Sequence, residues 1–194
     1  MSDASDWIHR WAHLVAAGGT VLDVAAGSGR HSAFFAALGH PVTAVDRDDA
    51  ALRAINGVAT TIVADLEGAP WPLPGRRFDA VVVTNYLWRP LLPDVVAAVA
   101  PGGVLLYETF AVGNETVGRP ARPDFLLARA ELLGVAAGLH VVAYEDGFLT
   151  DPERFVQRIV AVREAGAALP HRYVLDARTA EPRSLESAGS GKSE

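Results

Sequence analysis

The stretch VLDVAAGSGRH, Val21 to His31, runs apolar residues into a small, glycine-bearing turn and then into a segment of helical pattern. A buried strand, a tight turn and a helix make the first βα unit of an open α/β sheet, and such sheets bind ligands at the carboxyl ends of their strands. Gly27 and Gly29 lack a Cβ, so the backbone can adopt positive φ and a ligand can lie against it. The spacing Gly27-Ser28-Gly29 could open a dinucleotide fingerprint, yet Ser32 stands where that fingerprint wants glycine or alanine. A short glycine motif does not by itself choose its ligand.

Outward from this unit, apolar runs recur: TVLDVA from Thr20, PVTAV from Pro41, TTIVA from Thr60, FDAVVV from Phe78 and GVLLYETF from Gly103. Each is bounded by turn residues and apolar on both faces, which predicts strands of a parallel sheet covered by helices. Helical patterns fall between them, at RHSAFFAAL from Arg30, DDAALRAI from Asp48 and LLPDVVAAVA from Leu91, the last stopped by Pro101-Gly102-Gly103. LEGAPWPLPGRR, Leu66 to Arg77, holds three prolines and two glycines, so the third crossover is expected to be a loop. Alternating strands and helices give right-handed crossovers and a doubly wound sheet.

At the amino end, Trp7, Ile8, Trp11, Leu14 and Val15 recur at helical spacing after Asp6, which predicts an amphipathic helix over about 6–17 closed by Gly18-Gly19. Beyond the fifth run, a helix is expected around Asp124 to Leu133. The β-like runs LHVVAYED from Leu139 and ERFVQRIVAVRE from Glu153 follow, separated by a short turn. A connection that short permits only antiparallel pairing. The reading is one domain over 1–175, with 176–194, rich in Ser, Gly, Glu and Lys, expected to be disordered.

Composition narrows the chemistry. With 194 residues, 50% of them hydrophobic and 21% charged, the chain can bury a sizeable core. A net charge of −6 gives no general attraction for nucleic acid. There is no cysteine, which removes disulfides, thiolate nucleophiles and cysteine-ligated metals. His9 and His13 stand four apart without a third ligand, so no metal site is predicted. No apolar run approaches a membrane span and no signal-like start is visible, so a cytoplasmic protein without membrane partners is expected.

Three carboxylates then weigh on the ligand. Asp23 lies inside the first strand, Asp46 ends the second and Asp65 follows the third, so all three are predicted to crowd one edge of the sheet. An acid at the end of the second strand, about 20 residues beyond the turn, is the expected acceptor for ribose hydroxyls. Asp65 could accept from an adenine amino group. Asp23 beside the turn would repel a pyrophosphate and suits a ligand with an amino group.

These residues resemble the class I S-adenosylmethionine-dependent methyltransferases. The resemblance runs from Val21 to Phe110, with the hairpin extending it towards Arg163, and rests on DVAAGSG, Asp46, VADLE, FDAVVVTNYL and APGGVLLYETF. It implies an α/β, Rossmann-like, doubly wound seven-stranded sheet, mostly parallel with an antiparallel last strand, and S-adenosyl-L-methionine as cofactor. The turn residues Asp23, Ala25, Ala26, Gly27, Gly29, Arg30 and His31 would then sit by the methionine moiety, Asp46 and Arg47 by the ribose, Asp65 and Leu66 by the adenine, and Asn85 at the methionine end. Ala25 departs from the glycine usual there, and GSGRHS together with the loop after strand five is similar to small bacterial methyltransferases of the tellurite-resistance type.

Methyl transfer is an in-line displacement that asks mainly for alignment and exclusion of water, so no catalytic acid or base is assigned. Tyr86, Trp88, Arg89, Glu108 and Arg119, after strands four and five, are the candidates for the substrate pocket. The chain reads TNYL after strand four, not the N/D-P-P-Y/F of nucleic-acid amino methyltransferases. A small-molecule acceptor is favoured, then a protein side chain, then RNA. The alternatives are a nicotinamide-dependent oxidoreductase with Asp46 on the ribose, and a cofactor-binding domain that acts as an interaction module.

Overall fold

The structure, a computed structural model, describes residues 3–166 and 171–176. Seven strands form one sheet: β1 Val21–Val24, β2 Val42–Asp46, β3 Thr60–Val63, β4 Phe78–Thr84, β5 Val99–Phe110, β6 His140–Thr150 and β7 Glu153–Val162. Their order is β3-β2-β1-β4-β5-β7-β6. The first five pair in parallel. β7 runs antiparallel between β5 and β6, closing the sheet with the hairpin that the short connection requires.

Alternation along β4 assigns the layers. Ala80 and Val82 face one side with Val21, Val104 and Leu106, under Trp7, Ile8 and Trp11 of α1, Asp6–Trp11, and Phe35 of α2, Arg30–Ala37. Val81 and Val83 face the other side with Leu22, Val24 and Leu105, under Val95 of α4, Leu92–Ala97, and Leu132 of α5, Glu131–Val135. α3, Asp49–Arg53, contributes Leu52 to a smaller cluster with Ala44 and Ile55. A helix as short as α1 is not stable alone. Its three buried apolar side chains hold it to the sheet, each worth about 1.5–3 kcal/mol.

β1 pairs with β2 on one side and with β4 on the other. The strand order therefore reverses at β1, and the carboxyl ends of β1 and β4 flank the crevice such sheets offer to ligands. The turn 25–29 and the segment from Asn85 are brought side by side there.

Three expected boundaries differ. The helix over 6–17 is α-helical only to Trp11, then tightens to a 3-10 turn at Ala12–Leu14, and Val15 is extended. The His13 ring lies 2.9 Å from the Arg10 carbonyl at this end, and Val15 is β-branched. β5 begins at Val99 rather than Gly103, because Val99 already pairs with Phe78. The helix expected over 124–133 splits into a 3-10 turn at Pro123–Phe125 and α5. Arg89 draws the Asp124 and Leu126 carbonyls outward at 2.9 Å, taking acceptors a continuous helix would use. The expected tail lies, beyond Asp176, outside the described residues.

Candidate functional site

The turn after β1 is shaped by positive φ: 53° at Ala25, 53° at Gly27 and 72° at Gly29. A Cβ on Gly29 would stand 2.5 Å from Ile55 Cγ2, so packing and backbone both demand glycine. A Cβ on Gly27 would meet nothing within 4 Å, so that side of the turn is open. Ala25 keeps the left-handed geometry while carrying a methyl group.

Asp46 fixes the turn from the end of β2. Its Oδ2 accepts from the Gly27 N–H at 2.8 Å and its Oδ1 from the Asp48 N–H at 2.8 Å. The Ala26 N–H donates to the Val45 carbonyl at 3.0 Å.

Asp23 is turned elsewhere. Its carboxylate is buried and accepts from Ser32 Oγ at 2.6 Å. Gly29 is the N-cap of α2 and has no side chain to satisfy the first turn, so Asp23 caps that helix from the neighbouring strand. Burial pushes the Asp23 carboxyl up to about 6, against the lowering effect of the Ser32 hydrogen bonds.

His31 is buried as well. Its Nε2 accepts from the Ser5 N–H at 3.3 Å, and its Nδ1 lies 3.2 Å from Thr84 Oγ1. Burial lowers its pKa to about 3, with the Arg30 charge next in effect, so the ring is neutral. Arg30 reaches the Asp3 carbonyl at 3.5 Å. Both residues thus pin the segment leading into α1 across the start of α2.

A cleft of about 430 Å³ of empty space opens beside the turn, with Ala25, Asp46, Arg47, Asp65, Leu66 and Tyr86 among its walls. Asp65 Oδ1 accepts from the Glu67 N–H at 3.0 Å, which folds the chain over the carboxylate. The Tyr86 hydroxyl is buried without a hydrogen-bond partner. Burial raises its pKa, and the charges of Glu67 and Asp65 raise it further, so it stays a neutral hydroxyl. An unpaired buried hydroxyl costs free energy unless a ligand meets it.

A second cleft, with about 560 Å³ of empty space, shares Glu67 and Tyr86 with the first. Asn85, Leu87, Thr109, Phe110, Pro120 and Phe125 complete it. Asn85 is left-handed, with φ 53°, and its N–H donates to the Glu108 carbonyl at 2.9 Å, which turns the chain sharply off β4.

The structure thus gathers Ala25, Asp46, Arg47, Asp65, Leu66 and Tyr86 at the first cleft and Asn85 at the second. Other sequence candidates lie apart from both linings. Trp88 packs, half-buried, against the hydrophobic core. Arg89 pairs with Glu131 at 2.7 Å. Glu108 faces the α1 side, fully buried, 3.4 Å from Arg158. Arg119 is exposed. Glu67, Phe110, Pro120 and Phe125 were not singled out from sequence; Glu67 and Pro120 sit in connections where no periodicity marks a side chain's direction, and Phe125 sits in the segment expected to be helical that forms a 3-10 turn instead. Among the described residues no cluster of His, Asp or Glu could hold a metal, and no helix is long and apolar enough to cross a membrane.

Residues 21–103 match a family described as a methyltransferase domain. No curated protein matches the chain. Among solved structures, TehB from Haemophilus influenzae is 21% identical, with a TM-score of 0.63 over 79% of this chain and 60% of that one. The chain therefore spans about 60% of the length of that relative. A SAM-dependent methyltransferase from Methanosarcina mazei is 16% identical, with a TM-score of 0.65 over 85% of this chain and 100% of that one. The glycopeptide N-methyltransferase MtfA complexed with S-adenosyl-L-methionine is 22% identical, with a TM-score of 0.52 over 74% of this chain and 86% of that one. At such identities the likeness is one of fold.

Proposed function

We propose that this chain, whose residues 21–103 match a methyltransferase domain, is a class I S-adenosylmethionine-dependent methyltransferase and methylates a small-molecule acceptor seated in the second cleft. The observation that carries the reading is the partnerless buried hydroxyl of Tyr86 in a cleft walled by Asp46 and Asp65, beside a turn whose Gly27 leaves the backbone open. These groups fit S-adenosyl-L-methionine. When bound, it supplies an electrophilic methyl group on a sulfonium.

The chain's own part is binding and alignment. An ionised carboxylate has spare lone pairs, so Asp46 can hold the turn and still accept from ribose hydroxyls, with Arg47 beside it. Asp65 and Leu66 offer a hydrogen-bond acceptor and an apolar face to an adenine. Asn85, placed by its left-handed backbone, borders the methionine end, while Leu87, Phe110 and Phe125 exclude water around the acceptor. The net charge of −6 weighs against RNA as acceptor.

Titration calorimetry with S-adenosylhomocysteine and with NADH tests this. We expect heat with the first and none with the second. NADH binding without a response to S-adenosylhomocysteine would overturn the reading in favour of an oxidoreductase.

A further inference from the structure

We propose that the second cleft selects an apolar amine, with Glu67 recognising the ammonium group, in preference to a carboxylate or an oxyanion. This deepens the methyltransferase reading and rests on it, since the cleft gains its meaning from sharing Glu67 and Tyr86 with the cleft beside the turn.

The walls are chiefly apolar. Leu87 is 3% exposed, and Phe110, Phe125 and Pro120 are half-buried around it. Asn85 and Thr109 add neutral polar groups, and Glu67 is the one charged residue in the lining. Among the described residues its carboxylate enters no ion pair or hydrogen bond, whereas its N–H is used by Asp65.

The surrounding charge has the same sign. Glu67, Asp65 and Asp46 all act on the Tyr86 hydroxyl as negative charges, with Arg47 alone opposing. Of the cations around it, Arg47 lines the cleft beside the turn and not this one, Arg122 lies over the Phe125 ring at 5.1 Å but pairs with Asp124 at 2.8 Å, and Arg89 is held by Glu131. Arg119 is exposed and outside the lining. An anion entering here would meet like charge with no cation in the lining to offset it. An ammonium would meet a free carboxylate and aromatic faces, both of which attract it.

The test uses the full-length protein loaded with S-adenosylhomocysteine and three ligands of one shape: 2-phenylethylamine, 2-phenylethanol and 3-phenylpropanoate. Binding is read by ligand-observed NMR and calorimetry at neutral pH. The amine should bind about tenfold more tightly than the carboxylate, with the alcohol between. E67Q should lower amine affinity several-fold while leaving the alcohol's within a factor of about two. Carboxylate binding equal to that of the amine, an equal loss of amine and alcohol in E67Q, or no amine binding to the loaded protein would each overturn the proposal. Those outcomes leave S-adenosylhomocysteine binding intact, whereas failure of the methyltransferase reading would show as its absence in the loading step.

Discussion

Lowering the pH from 8 to 5 should weaken the fold through one side chain, His31. In the unfolded chain its ring has a pKa of about 6.5 and takes up a proton across this interval. In the folded protein burial holds the pKa at about 3, so the ring stays neutral throughout. The unfolded state therefore binds more protons, and the contribution is fully present above about 6.5 and lost progressively as pH falls. At pH 5 the gap below the unfolded pKa is about 1.5 units, worth about 2 kcal/mol at 1.36 kcal/mol per unit. Asp23 drifts the opposite way. Its folded pKa of about 6 exceeds the unfolded value, so it adds stability as pH falls through 6. The wild type alone would show only the difference between the two. The comparison is therefore with His31→Gln, which retains an acceptor for the Ser5 N–H and cannot titrate. Urea unfolding of both proteins at pH 8 and pH 5 should show the wild type losing about 2 kcal/mol more than the variant. Equal losses would refute the claim that a neutral His31 is locked under the start of α1.

Other substitutions probe the turn and the cleft. Gly29→Ala should cost about 2–4 kcal/mol in urea unfolding, because a Cβ at φ 72° would stand 2.5 Å from the buried Ile55; a cost under about 0.5 would reject the packing argument. Ala25→Gly should stabilise by about 0.5–1 kcal/mol, left-handed strain relieved less the greater freedom of an unfolded glycine, and a lowered melting temperature would contradict it. Asp46→Ala should weaken S-adenosylmethionine binding by about 1–3 kcal/mol in calorimetry, and an unchanged dissociation constant would remove Asp46 from the ribose.

What the sequence disclosed followed largely from burial. The central strands β1, β2 and β4, covered on both faces, must be continuous apolar runs, whereas β3 and β6 lie at the exposed edges of the sheet and were marked by β-branched residues between turns; a connection as short as that between Thr150 and Glu153 left only an antiparallel ending. Asp46 and Asp65 were legible because strand ends fix the edge at which a side chain emerges. Glu67 and Pro120 were not, since they lie in connections whose path is set by distant contacts, nor was Phe125, since the helix expected over 124–133 gives way to a 3-10 turn there. The hold of Arg89 on the Asp124 and Leu126 carbonyls places Phe125, across a separation no local pattern records.

Ser32 and Asp23 are the instructive pair. In the sequence each looks like an objection to a pyrophosphate: Ser32 occupies a position that wants a smaller residue, and Asp23 brings negative charge to the turn. In the structure the two objections are one contact, since Ser32 Oγ donates to the Asp23 carboxylate at 2.6 Å. A dinucleotide fold leaves the N-terminus of this helix free for phosphate. Here a buried carboxylate already occupies the inner side of that terminus, where it offsets the helix dipole and takes up the donor that Gly29 leaves uncapped. The helix end is thus internally neutralised before any ligand arrives. Recognition has to come from the outer edge, where Asp46, Asp65 and Tyr86 line the cleft, and that edge suits a nucleoside without phosphate.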